Sequence, residues 1–300
     1  MADKTDLDFT YSSISKVFRL SFGENADFSG ALYNGDFSLS LEEAQRRKHQ
    51  FIVDSLKIKK GDRVLDMGCG WGPFLMYLKK VGMKGVGVTL SEGQYEACIK
   101  NGLDVHIKDC RTITPQDYGT FDAVSSTGAF EHFCSVEEYL AGKQNEVYDG
   151  VFKTVYDLIP KGGRFFLQTM VFGKNMLPFE KFDINADKSS DEYILALMVK
   201  QFPGSWLPYG SEQVIQSANP YFKLISYSSG RLDYIETIKQ WRKKFRTFNV
   251  RKYLIYLSLI PKYFIDKEFR HRVAIFQINP NKVCFERELF EHYRFVFEKI

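Results

Sequence analysis

The sequence predicts an α/β fold in which a parallel sheet carries helices on both faces, with an N-terminal arm and an inserted, partly helical cap. Three observations point to it. The apolar run Val64-Leu65-Asp66-Met67 ends in glycines at 68, 70 and 72, and Pro73 then opens a helix. Strand and helix patterns alternate from 63 to 169, the signature of βα units. After Met170 that alternation stops.

The elements follow in order. Residues 1 to about 38 are aromatic-rich with weak periodicity and read as an irregular or partly helical arm. Ser40-Leu41-Glu42-Glu43 is a capping box that starts a helix running to about Leu56. Gly61 turns into a strand over Arg63–Met67, and the helix after Pro73 places Phe74, Leu75 and Leu78 on one face. Strands are predicted over Gly85–Thr89, Asp104–Lys108, Phe121–Ser126 and Arg164–Thr169, and helices over Gly93–Asn101 and from about Val136 to Leu158. Pro160-Lys161-Gly162-Gly163 is the turn before the fifth strand. Residues 171 to about 215 read as loop-rich, with a short helical run near 191–201. A strand is expected over Phe222–Ser226, helix over 232–275 and a last strand over His292–Phe297. No repeat or linker divides the chain, so one domain is expected. It comprises an arm and helix (1–56), a core (57–170), a cap with helices (171–275) and a C-terminal strand region (276–300).

Composition narrows the classes. Hydrophobic residues at 44% and charged residues at 26% are ordinary for a globular chain, and 27 Phe with 17 Tyr suit a long apolar pocket or an aromatic core. A net charge of +4 does not call for nucleic acid. The five cysteines (69, 98, 110, 134, 284) include no Cys-x-x-Cys pair. That argues for reduced thiols in a cytoplasm, and against a disulfide scaffold or a metal site. The segment Met1–Asp6 is polar, without the apolar core of a signal peptide, and the longest apolar stretch, Tyr253–Ile260, is too short to span a bilayer.

The glycine turn holds the chemistry. A ligand can approach its backbone closely, and the following helix points its positive end at the same place. A dinucleotide site would show Gly-x-Gly-x-x-Gly and an acid about twenty residues later. Here the spacing is Gly-x-Gly-x-Gly, Val88-Thr89-Leu90-Ser91 carries no carboxylate, and no Gly-Lys-Ser/Thr is present to hold a triphosphate. Asp66 suits a cationic amine. The pattern resembles motif I of the class I methyltransferases that bind S-adenosylmethionine. A tight turn without a ligand is the weaker alternative, given three glycines and the preceding acid.

Several blocks together resemble the cyclopropane-fatty-acid synthase family of methyltransferases, which includes the mycolic-acid-modifying enzymes and the plant alkaloid N-methyltransferases. They are Gly68-Cys69-Gly70-Trp71-Gly72, Val88-Thr89-Leu90-Ser91 with Gln94, Ala129-Phe130-Glu131-His132-Phe133 and Phe202-Pro203-Gly204-Ser205-Trp206-Leu207-Pro208. The resemblance covers roughly residues 28 to 299. It implies a Rossmann-like class I methyltransferase sheet, mostly parallel with an antiparallel final strand. It also implies S-adenosylmethionine as cofactor, with S-adenosylhomocysteine as product. The cofactor would lie against Asp66, Gly68, Cys69, Gly70, Trp71, Gly72, Thr89, Leu90, Ser91, Gln94, Asp109, Cys110 and Arg111. Some of these have a plainer reading beside the functional one: Ser91-x-x-Gln94 is also a capping box, Trp71 also a packing residue, and Asp109 also a turn cap. The acceptor pocket would include Gly30, Tyr33, Gln168, Met170 and Trp206. Catalysis would fall to Glu131 and Tyr234, with His132 either catalytic or structural.

In lipid-cyclopropanating members of that family, Cys, Glu, His and Tyr hold a bicarbonate that takes the proton. Glu131 and Tyr234 stand at two of those positions, but Gly30 aligns with the cysteine and Gln168 with the histidine. Both changes weaken the case for bicarbonate and for ring closure. The expected activity is methyl transfer to a small or lipid-like acceptor at carbon or nitrogen, with Glu131 as base or cation stabiliser; cyclopropane formation is the alternative. A nucleic-acid methyltransferase is disfavoured because Asn219-Pro220-Tyr221 lies far past the fourth strand. A non-catalytic cofactor-binding protein is disfavoured by the retained Glu131 and Tyr234. Seven cations in Lys239–Lys252, followed by Tyr253-Leu254-Ile255-Tyr256-Leu257, read either as a solvated helix face or as peripheral docking of 239–257 on an anionic membrane.

Overall fold

Strands β1 (Arg63–Met67), β2 (Lys84–Thr89), β3 (Asp104–Ile107), β4 (Ala123–Thr127), β5 (Arg164–Phe172), β6 (Phe222–Ser229) and β7 (Phe290–Lys299) form one sheet in the order β3-β2-β1-β4-β5-β7-β6. The computed structural model describes residues 17, 19–22, 26–202, 204–266, 269–270 and 279–300. Most of the expected arm (1–16, 18, 23–25), Pro203, and residues 267–268 and 271–275 of the expected helical stretch lie outside the described residues. The first five strands pair in parallel. β7 runs antiparallel between β5 and β6, from Arg164↔Glu298 to Phe172↔Phe290 on the β5 side. The chain leaves β1 toward β2 and β3, then crosses to β4 on the opposite side. Such a reversal opens a crevice at the carboxyl ends of the two central strands.

Helix α1 (Leu41–Leu56) begins at the expected capping box: Glu43 N donates to Ser40 Oγ at 3.3 Å and Ser40 N to Glu43 Oε2 at 3.1 Å. With α2 (Pro73–Lys80) and α3 (Glu92–Lys100) it covers one face of the sheet, where Ile52, Leu56, Phe74, Leu78 and Cys98 pack against Val64 and Phe166. After α4 (Pro115–Tyr118), the second face is packed by α5 (Val136–Leu140), α6 (Gln144–Leu158) and α8 (Gly210–Ala218), whose buried residues include Tyr148, Phe152 and Val214.

Some boundaries correct the sequence reading. The single helix expected over Val136–Leu158 is two. Gly142, at φ +71°, ends α5; Lys143 N donates to Glu138 O and Gly142 N to Tyr139 O, a Schellman stop. Apolar periodicity continues through this break and conceals it. Helix α7 (Asp191–Gln201) lies where expected. Helices α8 and α11 (Asn279–Glu286) were not expected, and β5 runs three residues past Thr169. The helical stretch from 232 divides into α9 (Arg231–Arg246) and α10 (Val250–Ile265). Asn249 caps α10, and the buried Lys252 Nζ donates to the carbonyls of Phe245 and Thr247 at 2.6 Å each, satisfying the end of α9. Ser91 caps α3 by accepting from Gln94 N at 3.4 Å, but the expected box is incomplete: Gln94 Oε1 accepts from Thr89 Oγ1 at 2.8 Å instead.

Gly72 caps α2 at φ +78°, and a Cβ there would lie 2.5 Å from Leu103 Cδ1. Gly72→Ala is expected to cost about 1–3 kcal/mol through backbone strain and overpacking. Thermal melts check this: the midpoint falls by several degrees, while a ligand of the adjacent cleft still raises it.

Candidate functional site

The carboxyl ends of β1, β2 and β4 open into a cleft of about 1030 Å³. Its floor is the glycine turn, which Gly68 N and Cys69 N anchor by donating to Val88 O at 3.0 Å each. Gly68 sits at φ +79°, and a Cβ there would lie 2.3 Å from the Ala129 Cβ. The glycine therefore lets the loop after β4 close over the turn. Trp71 forms part of the wall and is nearly fully buried. Asp66 lies beneath, with Oδ1 unpartnered among the described residues. Burial pushes its carboxyl up to about 7, against the pull of Lys48. A buried acceptor without a partner, facing a cleft, suits a ligand cation.

The sequence-predicted cofactor residues mostly converge here. Asp66, Gly68, Cys69, Gly70, Trp71, Thr89, Leu90, Ser91, Gln94, Asp109 and Cys110 all line the cleft. Gly72 and Arg111 do not. Gly72 serves helix packing, and Arg111 lies behind Asp109, its Nη2 3.0 Å from Asp109 Oδ2 and its Nη1 donating to Phe133 O at 3.1 Å. Asp109 is also a cap, accepting from Arg111 N at 3.0 Å. Asp109 therefore caps the turn and at the same time lines the cleft.

The remaining wall comes from the arm and α1, and the sequence reading missed it. Lys48 Nζ donates to Asp27 at 2.8 and 2.9 Å, to Ser29 Oγ at 2.6 Å and to Gln45 Oε1 at 2.6 Å; His49 Nε2 lies 3.0 Å from Asp27 Oδ2. Burial alone would raise the Asp27 carboxyl, but Lys48 and His49 outweigh it and hold it well below the ordinary range. One signal was legible: Gln45, Lys48 and His49 interrupt the buried stripe of α1 between Leu41 and Ile52. Polar groups on a core stripe must find partners, and here the arm supplies them.

A second chamber of about 870 Å³ shares Phe28, Ser29, Gly128 and His132 with the cleft, so the two adjoin. Its wall is largely apolar, with Met170, Phe172, Leu195, Met198, Val199 and Trp206. Glu131 lines this chamber, next in sequence to the shared His132. Its Oε1 accepts from Met170 N at 2.7 Å, its Oε2 has no partner among the described residues, and burial raises its carboxyl to about 7. His132 Nδ1 lies 2.7 Å from Ser205 Oγ, and burial lowers the imidazole to about 4, so it is neutral at pH 7.

Gly30, Gln168, Met170, Trp206, Glu131, His132 and Tyr234 all line this chamber, whereas Tyr33 does not. Tyr33 is fully buried elsewhere, its ring 5.9 Å from Phe37. A Cβ at Gly30 would meet Tyr234 Cδ2 at 2.5 Å and His292 Cε1 at 3.0 Å, so those rings occupy the space a side chain would need. Gln168 is also committed: its Nε2 donates to Gly30 O at 3.0 Å and its Oε1 accepts from Arg294 Nε at 3.2 Å. Arg294 in turn pairs with Asp233 Oδ2 at 3.1 Å and donates to Ala31 O at 2.8 Å. The sequence reading missed Asp233, His292 and Arg294, although polar residues at 292 and 294 interrupt an otherwise apolar strand on one face.

Known proteins resemble this chain in sequence and in fold. The family model for mycolic acid cyclopropane synthetases matches residues 2–257. Cyclopropane mycolic acid synthase 2 of Mycobacterium bovis is 29% identical over 237 residues, covering 77% of this chain and 76% of its own. Cyclopropane-fatty-acyl-phospholipid synthase of Escherichia coli is 33% identical over 211 residues, covering 69% of this chain and 48% of its own. A mycolic acid cyclopropane synthase solved with SAH and CTAB superposes with a TM-score of 0.77 at 22% identity, over 99% of this chain and 98% of that one.

Asp66 has a pH consequence in the ligand-free protein. Unfolded, the group ionises near its ordinary 3.8; folded, it stays protonated to about 7. Between those values the unfolded state holds fewer protons, so folding weakens as pH rises, by ~1.4 kcal/mol for each pH step of one within that window. Asp66→Asn removes this slope. Its melting temperature is expected to match the parent near pH 4 and to exceed it by several degrees at pH 8, as measured by ligand-free melts across that range.

Proposed function

The chain belongs to the mycolic acid cyclopropane synthetase family and is an S-adenosylmethionine-dependent methyltransferase, and from that premise we propose that its acceptor is an unsaturated lipid acyl chain, methylated at carbon. The observation that carries the proposal is the apolar chamber that adjoins the cofactor cleft, with the buried Glu131 in its wall. The cofactor, when bound, supplies an electrophilic methyl group on a cationic sulfur. Asp66 would receive its amine, the Gly68–Trp71 backbone would admit its methionine end, and Asp109 with Cys110 would flank its adenine. In-line displacement depends on alignment and exclusion of water, which the buried aromatic and methionine walls supply.

Methylation of an alkene leaves positive charge on the acyl chain. Glu131 Oε2 is placed to stabilise that charge, aided by the face of Tyr234. The site does not fit a bicarbonate ion. Gly30 offers no side chain, and the Gln168 amide is already held by Gly30 O and Arg294, so neither supplies a ligand to an anion. No step is assigned to one.

Helix α10 supports peripheral docking on an anionic bilayer. Phe248, Leu254, Leu257, Phe264 and Ile265 are all exposed, Ile265 at 85%. Among the nearby cations, Lys239 is engaged with Glu236, Lys244 with Glu42 and Lys252 with backbone carbonyls. Lys243, Arg246 and Arg251 flank the apolar helix and suit lipid phosphates. No helix among the described residues is long and apolar enough to cross a membrane.

Glu131→Gln is expected to reduce turnover on vesicles of unsaturated phospholipid at least 100-fold while S-adenosylhomocysteine still raises the melting temperature normally. At saturating cofactor, parental kcat rises as Glu131 ionises through about 7, and the variant loses that rise. Near-parental turnover would remove Glu131 from the chemistry. In flotation at low salt, the parent is expected to rise with vesicles containing phosphatidylglycerol. Leu254→Asp with Leu257→Asp should stay at the bottom; a parent that never floats ends the docking proposal.

A further inference from the structure

The chamber holds a second imidazole that the family's motifs do not supply. His292 stands on β7 opposite Met170 of β5, two residues before Arg294, and its ring lines the acceptor chamber. It is 2% exposed, lies 4.7 Å from the Tyr234 ring at a tilt of 40°, and turns Cε1 toward Gly30. Its Nδ1 lies beside the Gly230 backbone and meets no hydrogen-bond partner at full bonding geometry among the described residues. No hydrogen bond to a described residue holds either ring nitrogen.

Burial of an unpaired imidazole must serve something, because it costs free energy and gains no bond. Its position relates it to two departures in the same chamber. Gly30 leaves the space that the His292 and Tyr234 rings enter, and Gln168, two register pairs away, stands opposite Arg294. The imidazole available to this chamber from the β5–β7 pair is therefore the one on β7.

We propose that His292 is the proton acceptor of the acceptor chamber. The inference rests on the alkene reading above for its substrate, although any acceptor that loses a proton in this chamber would use the same group. The alkene π pair bonds to the methyl carbon as the sulfur–carbon bond breaks, its electron pair remaining on sulfur. The resulting cation releases a proton to an imidazole lone pair, and the freed C–H pair closes either a new double bond or a ring. The Gly230 carbonyl favours a proton on Nδ1, which leaves the Nε2 lone pair to act. Burial, then Arg294 and Lys48, hold the imidazole neutral and ready to accept. Asp233 is neutralised by Arg294, and Tyr234, Glu131 and the neutral His132 are the other titratable groups of this wall. Glu131, as carboxylate, would stabilise the imidazolium that forms.

The test uses the full chain with S-adenosylmethionine and dioleoylphosphatidylglycerol vesicles. His292→Gln and His292→Asn are expected to lower kcat about 10²–10⁴-fold, the usual span for a general base, with KM for lipid within threefold and S-adenosylhomocysteine affinity unchanged. Carbon-13 NMR of labelled histidine, with the variants giving the assignment, should show His292 neutral at pH 6. The proposal is overturned if both variants keep kcat within threefold of the parent, or if His292 is protonated at pH 7. Should the parent itself fail on these vesicles, the lipid reading falls, and the NMR titration with each variant's turnover on the acceptor that replaces lipid decides His292 separately.

Discussion

The buried pair of Arg294 and Asp233 holds together the parts from which the site is built. Arg294 projects from β7, Asp233 from the first turn of α9, and the same guanidinium reaches Ala31 O in the arm and Gln168 on β5. Asp233 also accepts from Asn34 N at 3.0 Å, and its carbonyl from Thr237, whose hydroxyl oxygen accepts from Ala31 N. Four separate elements thus meet at one ion pair. An ionic core is costly to desolvate, and losing one partner leaves a buried charge, typically at ~3–5 kcal/mol. Such a pair is retained where it specifies a geometry, here the closure of the arm over the ends of β4 and β5.

That closure explains the electrostatics of the site. With the arm in place, Asp66 and Glu131 lose water without gaining enough hydrogen bonds to stay ionised at ordinary values. Asp27 is equally buried, yet Lys48 and His49 keep it charged. The distinction is functional. The carboxylate paired within the protein shapes the wall, while the two with unpartnered oxygens face the cofactor cleft and the acceptor chamber. A cationic cofactor and a cationic transition state would restore what burial removed.

Much of the cofactor half was legible from local sequence because local geometry produces it. A strand, three glycines and a proline define a turn within ten residues, and that turn faces the crevice wherever β1 and β4 diverge. Strand β1 and helices α1 and α7 fell within a residue of expectation for the same reason: capping and periodicity are short-range. Gly142 escapes a sequence reading because an apolar stripe can run through a helix stop, and α8 and α11 escape it because they are short.

By itself the sequence determined the sheet's parallel core, the glycine cleft with its acid at Asp66, and the family to which the blocks belong. Only the tertiary structure decided the acceptor half. The role of Gly30 depends on Tyr234 and His292, more than two hundred residues later, filling the space its side chain would occupy. Gln168 reads as a lost ligand until the antiparallel register of β5 and β7 sets it beside Arg294, and Arg111 and Tyr33 read as site residues until packing turns them away. Side chains brought together by sheet register and arm closure have no fixed spacing along the chain, so no motif records them.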